Sequence, residues 1–301
     1  MNILLAGGTG FIGSHLVHDF EKQTDHIYIL TRHKQKDYAN VHFIEWLQED
    51  VPLPDLSPYE IDAVINLAGT SLSEGRWTAE RKREIVTSRI TATSALTAML
   101  RKLETKPQVL LNASAIGIYP PSRSAIYLDT EICEKDYDFL GRTVIEWEKT
   151  ASELTHYGMR VVYLRFGMIL GTDGGGFPLF EKTFQSFLGG RYGNGRQWYS
   201  WIHIEDVVRA VNFILQTPEL SGGINITAPH PVQQKKFADL LAKKLHRPSK
   251  LPIPKAALKL ALGEKAQLVL AGQRAYPEKL LSHHFEFQFP TLSEALDDLL
   301  E

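Results

Sequence analysis

The first thirteen residues constrain this chain more than any other stretch. Ile3 to Ala6 is a short apolar run of strand type, Gly-Gly-Thr-Gly-Phe-Ile-Gly follows at 7–13, and an amphipathic run continues from Phe11 to Phe20. A strand that turns through glycines straight into a helix is the entrance to a dinucleotide-binding fold. Gly7, Gly10 and Gly13 fit a G-x-x-G-x-x-G spacing, and Gly8, Gly10 and Gly13 fit G-x-G-x-x-G. The first glycine allows a tight turn, the middle one lets backbone N–H groups approach a pyrophosphate, and the last lets the helix pack close to the sheet. Phosphate then meets unpaired amides and the positive end of the helix dipole.

Alternation of strands and helices continues along the chain. By β-branched and aromatic content 26–31 reads as a second strand and 41–45 as a third, and 61–67 reads as a fourth that ends in Ala68-Gly69. Helical apolar spacing covers 78–103, and 109–114 is the next strand. A helix over 138–157 stops at Gly158 and leads into a strand over 160–166; 205–215 and 224–226 add a last helix and strand. Short apolar strands alternating with helices predict an α/β fold, a doubly wound parallel sheet of Rossmann type with ligand outside the strands' carboxyl ends. The predicted core spans 1–171, completed by about 203–228. A smaller substrate lobe takes 172–202 and 229–301, where glycine loops and then Pro248, Pro252, Pro254, Pro277 and Pro290 break the pattern.

Hydrophobic residues at 44% and charged residues at 23% place the 301-residue chain among globular proteins. A net charge of −2 gives no bulk reason to expect nucleic acid or an anionic membrane as partner. One cysteine, Cys133, rules out an internal disulfide and suits a reducing compartment. Ile3 to Ala6 is too short for a signal peptide and no run approaches transmembrane length, so a cytoplasmic location is expected. The Asn112-Ala-Ser114 and Asn225-Ile-Thr227 triplets are read as chance matches to a glycosylation acceptor.

The end of the second strand chooses the cofactor. NAD sites place an acid there for the ribose hydroxyl, whereas this chain offers Thr31-Arg32-His33-Lys34 and no carboxylate before Asp37. Arg32 can fork a 2′-phosphate, so NADP(H) is favoured; a solvated basic loop is the alternative.

Further motifs carry a resemblance. The glycine motif, Asn66-Leu-Ala-Gly69, Ser114-Ala-Ile-Gly-Ile-Tyr119 and Trp201-Ile-His-Ile-Glu-Asp206 together resemble the extended short-chain dehydrogenase/reductases. Arg76-Trp77, Ser88-Arg89, Trp147-Glu148, Gly174-Gly175, Pro229-His-Pro-Val232 and the tail from Gly263-Glu264 to Pro290 look like its atypical, nucleoside-diphosphate-sugar epimerase-like branch. The resemblance implies a Rossmann core holding NADP(H). It points to Gly7, Thr9, Gly10, Phe11, Ile12 and Gly13 in the loop and to Thr31 and Arg32 at the adenosine phosphate. Leu67, Ala68 and Gly69 are implied along the cofactor, with Glu84, Arg89 and Ile169 as further neighbours. Glu84 and Arg89 read equally as surface charges on a helix.

One departure limits the chemistry. Ordinary members of the superfamily use Tyr-x-x-x-Lys, the lysine and oxidised nicotinamide lowering the tyrosine pKa for proton exchange. Registered by Trp147-Glu148, those positions fall on Leu140 and Val144. Tyr119 and Ser114 are the candidate replacements. Tyr119 reads as a proton donor or as a packing or substrate-contact residue, and Ser114 as a hydroxyl holding a substrate oxygen or as a turn cap. His203 reads as an acid or base or as a fixture of the strand-to-helix junction, with Asp206 capping or steadying the helix. His15 and His18 have metal-compatible spacing but lack further ligands, so no metal is expected. Nucleotide-sugar enzymes of this group often carry an arginine where this chain has Tyr199; Arg191 and Arg196 could compensate. Tyr192, Trp198, Tyr199 and Trp201 could stack on a sugar or base or form a hinge against the second lobe.

The expected function is an NADP(H)-dependent oxidoreductase or epimerase acting on a small polar substrate, sugar derivatives included. A non-catalytic NADP(H)-binding sensor that regulates a partner is the alternative. By analogy, helices 78–103 and 138–157 could form a homodimer contact.

Overall fold

The computed structural model describes residues 1–33, 35–131, 137–249 and 252–301, so Lys34 and Cys133 lie outside the described residues. Seven parallel strands form the central sheet: β1 (Asn2–Ala6), β2 (His26–Thr31), β3 (Val41–Glu45), β4 (Ala63–Asn66), β5 (Val109–Ala115), β6 (Arg160–Phe166) and β7 (Gly222–Ile226). Their spatial order is β7-β6-β5-β4-β1-β2-β3, with Leu5 opposite Ile29 on one side and Ile65 on the other. The order reverses at β1 and β4, which opens a crevice at their carboxyl ends.

Burial on both faces explains the apolar strands. Ile3 and Leu5 point to one layer with Leu16, Val17 and Phe20 of α1 (Phe11–Phe20), while Leu4 and Ala6 point to the other with Ala92, Leu96 and Met99 of α2 (Ala79–Leu100). α3 (Phe139–Ser152) packs beside α2, and its chain continues through a 3₁₀ turn, Glu153–Tyr157, to Gly158 at φ 79°. α4 (Phe177–Gln185) leads into the second lobe, and α5 (Ile204–Gln216) lies beside α1, burying Val207, Ala210, Val211 and Ile214.

A third apolar cluster joins α4 to the C-terminal elements. Phe180 and Phe184 of α4 meet Phe237 and Leu241 of α6 (Gln234–Lys244), then Leu292, Leu296 and Leu299 further along the chain. The same cluster buries Tyr192, Tyr199 and Trp201, three of the four aromatics singled out in the sequence. After α6 come α7 (Lys255–Leu262), a 3₁₀ turn at Gly263–Ala266, α8 (Gln267–Leu270), α9 (Glu278–Ser282) and α10 (Leu292–Leu300). Among the described residues no helix is long and apolar enough to cross a membrane, and no three His, Cys, Asp or Glu side chains group as a metal site.

Candidate functional site

The glycine loop sits at the crevice and touches the loop after β4. Gly7 has φ 83°, and a Cβ there would stand 2.8 Å from the Leu67 carbonyl carbon, so a side chain would push the two loops apart. At Gly13 a Cβ would lie 2.2 Å from the Gly7 oxygen, which fixes how closely α1 approaches the turn. α2, α3 and α5 close their N-termini with their own side chains: Thr78 accepts from the Arg81 N–H, Asp138 from Gly141, and His203 from Glu205. α1 does not. Its N-cap is Gly10, no side chain accepts there, and its first turn carries no acid. The N–H groups of Phe11, Ile12 and Gly13 are thus left for an external anion. The fit to a pyrophosphate rests on this bare N-terminus.

Of the other expected cofactor residues, Leu67 and Ala68 stand against Gly7. Ala68 N–H donates to the Asn66 carboxamide at 3.2 Å, and a Cβ on Gly69 would meet the Arg89 side chain at 3.0 Å. Arg89 donates to the Thr70 and Ile85 carbonyls at 3.0 Å and stacks over Trp147 at 5.1 Å. Burial, with Arg81 nearby, brings its guanidinium down to about 10. Glu84 is exposed and accepts from Arg81 at 2.9 Å. Phe11 lies under the glycine loop at 171–175, and Ile169 pairs with Ile202 beside it. At the end of β2, Thr31 is spent on a local turn with His33, while the exposed Arg32 guanidinium has no acceptor among the described residues. A cavity of about 360 Å³ opens between Gly8, Thr9 and His18 on one side and Tyr38 and Phe43 on the other.

Ser114 and Tyr119 belong to a buried network under the crevice. Ser114, 3% exposed, donates to Glu148 Oε1 at 2.5 Å, and Arg165 forks the same carboxylate at 3.0 and 3.1 Å. Arg165 also donates to the Tyr119 hydroxyl at 2.9 Å, which donates in turn to the Asn225 carboxamide at 2.8 Å. Tyr119 is 1% exposed and stacked on Tyr127, and burial above all pushes its phenol up to about 12. Holding a substrate oxygen or donating a proton needs a hydroxyl presented to the crevice, and both are committed inside the protein instead. Val144 packs with Ile118, Tyr119 and Ala275, and Leu140 sits beside Gly117, so the usual dyad positions are apolar wall.

His203 is the junction fixture. Its Nδ1 accepts the Glu205 N–H at 3.2 Å and its Nε2 faces Asp298 at 3.2 Å. Asp206 does not cap α5; its carboxylate takes the Gln288 and Phe289 N–H groups at 2.8 and 2.9 Å. His15 meets Asp173 at 3.0 Å. Asn112 and Asn225 are fully buried within β5 and β7.

A strap formed by α7, Gly263–Ala266 and α8 was not foreseen. Arg76 donates to the Leu260 carbonyl, Lys265 to the Gly75 carbonyl at 3.2 Å, Lys82 pairs with Glu264 at 2.6 Å, and Gln267 donates to Asp138 at 2.7 Å. From the second lobe Tyr199 and Gln197 both donate to the Val269 carbonyl at 3.0 Å. The strap therefore joins the N-terminal ends of α2 and α3 to Gln197 and Tyr199. Tyr199 fills the place of the family's arginine as a buried anchor. The missed network had one visible signal, the cation Arg165 set among the apolar residues towards the end of β6.

Comparisons agree with this geometry. Residues 3–227 match the model of the NAD dependent epimerase/dehydratase family, and 253–299 match a domain of unknown function, DUF1731. The epimerase family protein YfhF of Bacillus subtilis is 40% identical over 301 residues, covering 100% of this chain and 98% of that one. The epimerase family protein SSP1921 of Staphylococcus saprophyticus is 42% identical, covering 99% and 98%. Among solved structures, the human epimerase family protein SDR39U1 (isoform 2) with NADPH aligns with a TM-score of 0.87 at 28% identity, covering 99% of each chain. A UDP-glucuronic acid 4-epimerase from Bacillus cereus with NAD shares the fold at a TM-score of 0.77 and 20% identity, covering 99% of this chain and 96% of that one.

Proposed function

Because the chain belongs to the NAD dependent epimerase/dehydratase family, we propose that it binds NADP(H) and carries out an oxidoreductase or epimerase reaction on a small polar substrate, sugar derivatives included. One observation carries the reading: the uncapped N-terminus of α1 lies in a crevice whose neighbouring strand β2 is followed directly by Arg32, an exposed guanidinium with no acceptor among the described residues. The N–H groups of Phe11, Ile12 and Gly13 hold the pyrophosphate, Arg32 with Thr31 beside it meets the 2′-phosphate, and Leu67 to Gly69 and Ile169 flank the cofactor. Arg89 adds positive charge near Thr70. When bound, the nicotinamide supplies or accepts a hydride. The NADPH carried by the human relative supports the choice of phosphorylated cofactor. Ser114 and Tyr119 act as positioning residues, steadying the floor of the site through Glu148 and Arg165.

Titration calorimetry with NADPH and NADH, followed by turnover assays on carbonyl compounds and nucleotide sugars, tests the proposal. Tighter NADPH binding with turnover supports it. No affinity for either nucleotide, or an NADH preference that survives Arg32→Ala, sinks it.

The apolar Leu140 and Val144 favour a second reading, a cytoplasmic NADP(H) sensor without turnover. Saturable NADPH binding, no turnover and a partner retained in one redox state only would select it. A homodimer through α2 and α3 is part of either proposal, and sedimentation velocity decides it.

A further inference from the structure

We propose that a second cavity, at the carboxyl end of β7, binds a small carboxylate with an apolar body. The cavity measures about 410 Å³, within the usual range for small-molecule sites, and is lined by Ile126, Leu128, Pro229 and Pro231 with Arg274, His230 and Tyr276. It stands apart from the cofactor crevice: β7 is three strand spacings from β4, roughly 14 Å.

Arg274 carries the argument. Its guanidinium lies 4.4 Å from the Trp198 ring, whose Nε1 donates to the Arg123 carbonyl at 2.9 Å. Among the described residues, no carboxylate or carbonyl accepts from that guanidinium. Three other arginines are by contrast satisfied: Arg165 by Glu148, Arg160 by the Ile214 and Leu220 carbonyls, Arg81 by Glu84. The backbone of Arg274 is also fixed, paired in parallel with Ile126, and the next residue's N–H donates to Ser200 Oγ at 2.9 Å. A guanidinium held over an indole by its cation–π contact, with no acceptor of its own among the described residues, has donors for a forked carboxylate and loses little freedom on binding. The walls select the rest of the ligand. A free phosphate would leave oxygens facing Pro229, Pro231 and Leu128, whereas an aromatic or aliphatic tail buries that surface.

The test uses the full chain, with binding read by saturation-transfer NMR and calorimetry. The probes are benzoate, octanoate, benzamide and inorganic phosphate. Benzoate or octanoate binds, benzamide and phosphate do so more weakly by at least about tenfold, and Arg274→Met lowers carboxylate affinity by roughly ten- to a hundredfold. Ile126→Asp, which sets a like charge at the mouth, abolishes binding. Near-ultraviolet circular dichroism checks the fold of both variants, so the result is independent of the cofactor reading. Three outcomes overturn the proposal: no carboxylate binds below about 10 mM, carboxylate binding is unchanged by Arg274→Met, or phosphate binds as tightly as benzoate.

Discussion

Gly13 has no room for a methyl group. With the Gly7 oxygen 2.2 Å and Gly8 Cα 2.7 Å from an ideal Cβ, Gly13→Ala must displace backbone, which does not yield as a flexible side chain would. We expect the substitution to cost about 1–3 kcal/mol of stability and to weaken NADPH binding by more than about tenfold, since the amides that meet the pyrophosphate move with the loop; urea unfolding and calorimetry check the two effects. Glu148 tests the network beneath. Glu148→Ala leaves Arg165, 6% exposed, as an uncompensated buried charge and frees Ser114, so a loss of about 3–5 kcal/mol is expected in urea unfolding. Tyr119→Phe separates positioning from proton transfer. It should lower stability by about 1–2 kcal/mol through the lost partner of Asn225 and Arg165, yet change turnover only a few-fold; a far larger drop would show the phenol acting on substrate. The glycine loop was legible in sequence because its spacing is the mechanism. Glu148 and Arg165 were not, because a contact between residues 17 apart on a helix and the strand after it leaves no periodic trace.

Helices and strands were legible wherever a local signal marked them. The spacing over 78–103 becomes α2 at Ala79–Leu100 with Thr78 as its cap, and Gly158 ends the turn after α3 at a positive φ. The cap of α5 was less so: its acids suggest Asp206, but the structure uses His203 and spends Asp206 on Gln288 and Phe289 N–H groups 82 and 83 residues away. That choice has a pH consequence. Burial holds His203 below its ordinary 6.5, against the pull of Asp298. The unfolded chain then binds the extra proton first, so stability is full above about 6.5 and falls as pH drops from there towards the folded value. Urea midpoints should fall between pH 7.5 and 5, and His203→Asn should flatten that slope. Asp206→Ala should cost about 2–4 kcal/mol, for two N–H groups lose their acceptor; hydrogen exchange should quicken at Gln288 and Phe289 before the central sheet.

At the scale of the molecule, the parallel sheet follows from alternation that each βα unit writes locally, whereas the strap joins residues such as Lys82 and Glu264, 182 apart, and no window of sequence contains both. The whole fold also reports on its cofactor. A ligand bound only by the folded state at a hundred times its Kd adds about 2.7 kcal/mol, which for a chain of this size raises Tm by roughly 5 °C. NADPH and NADH differ by one phosphate, and the residue placed to read it, Arg32, is exposed. Its contribution is therefore discounted for screening and set at about tenfold in affinity. Compared at one concentration, NADPH should give the larger Tm rise; the gap should shrink from low salt to about 0.5 M, and Arg32→Ala should close it by lowering the NADPH response while leaving that of NADH alone. Equal shifts in the unsubstituted protein would mean that the cation after β2 is solvated surface, and that the glycine loop binds pyrophosphate without regard to what the adenosine ribose carries.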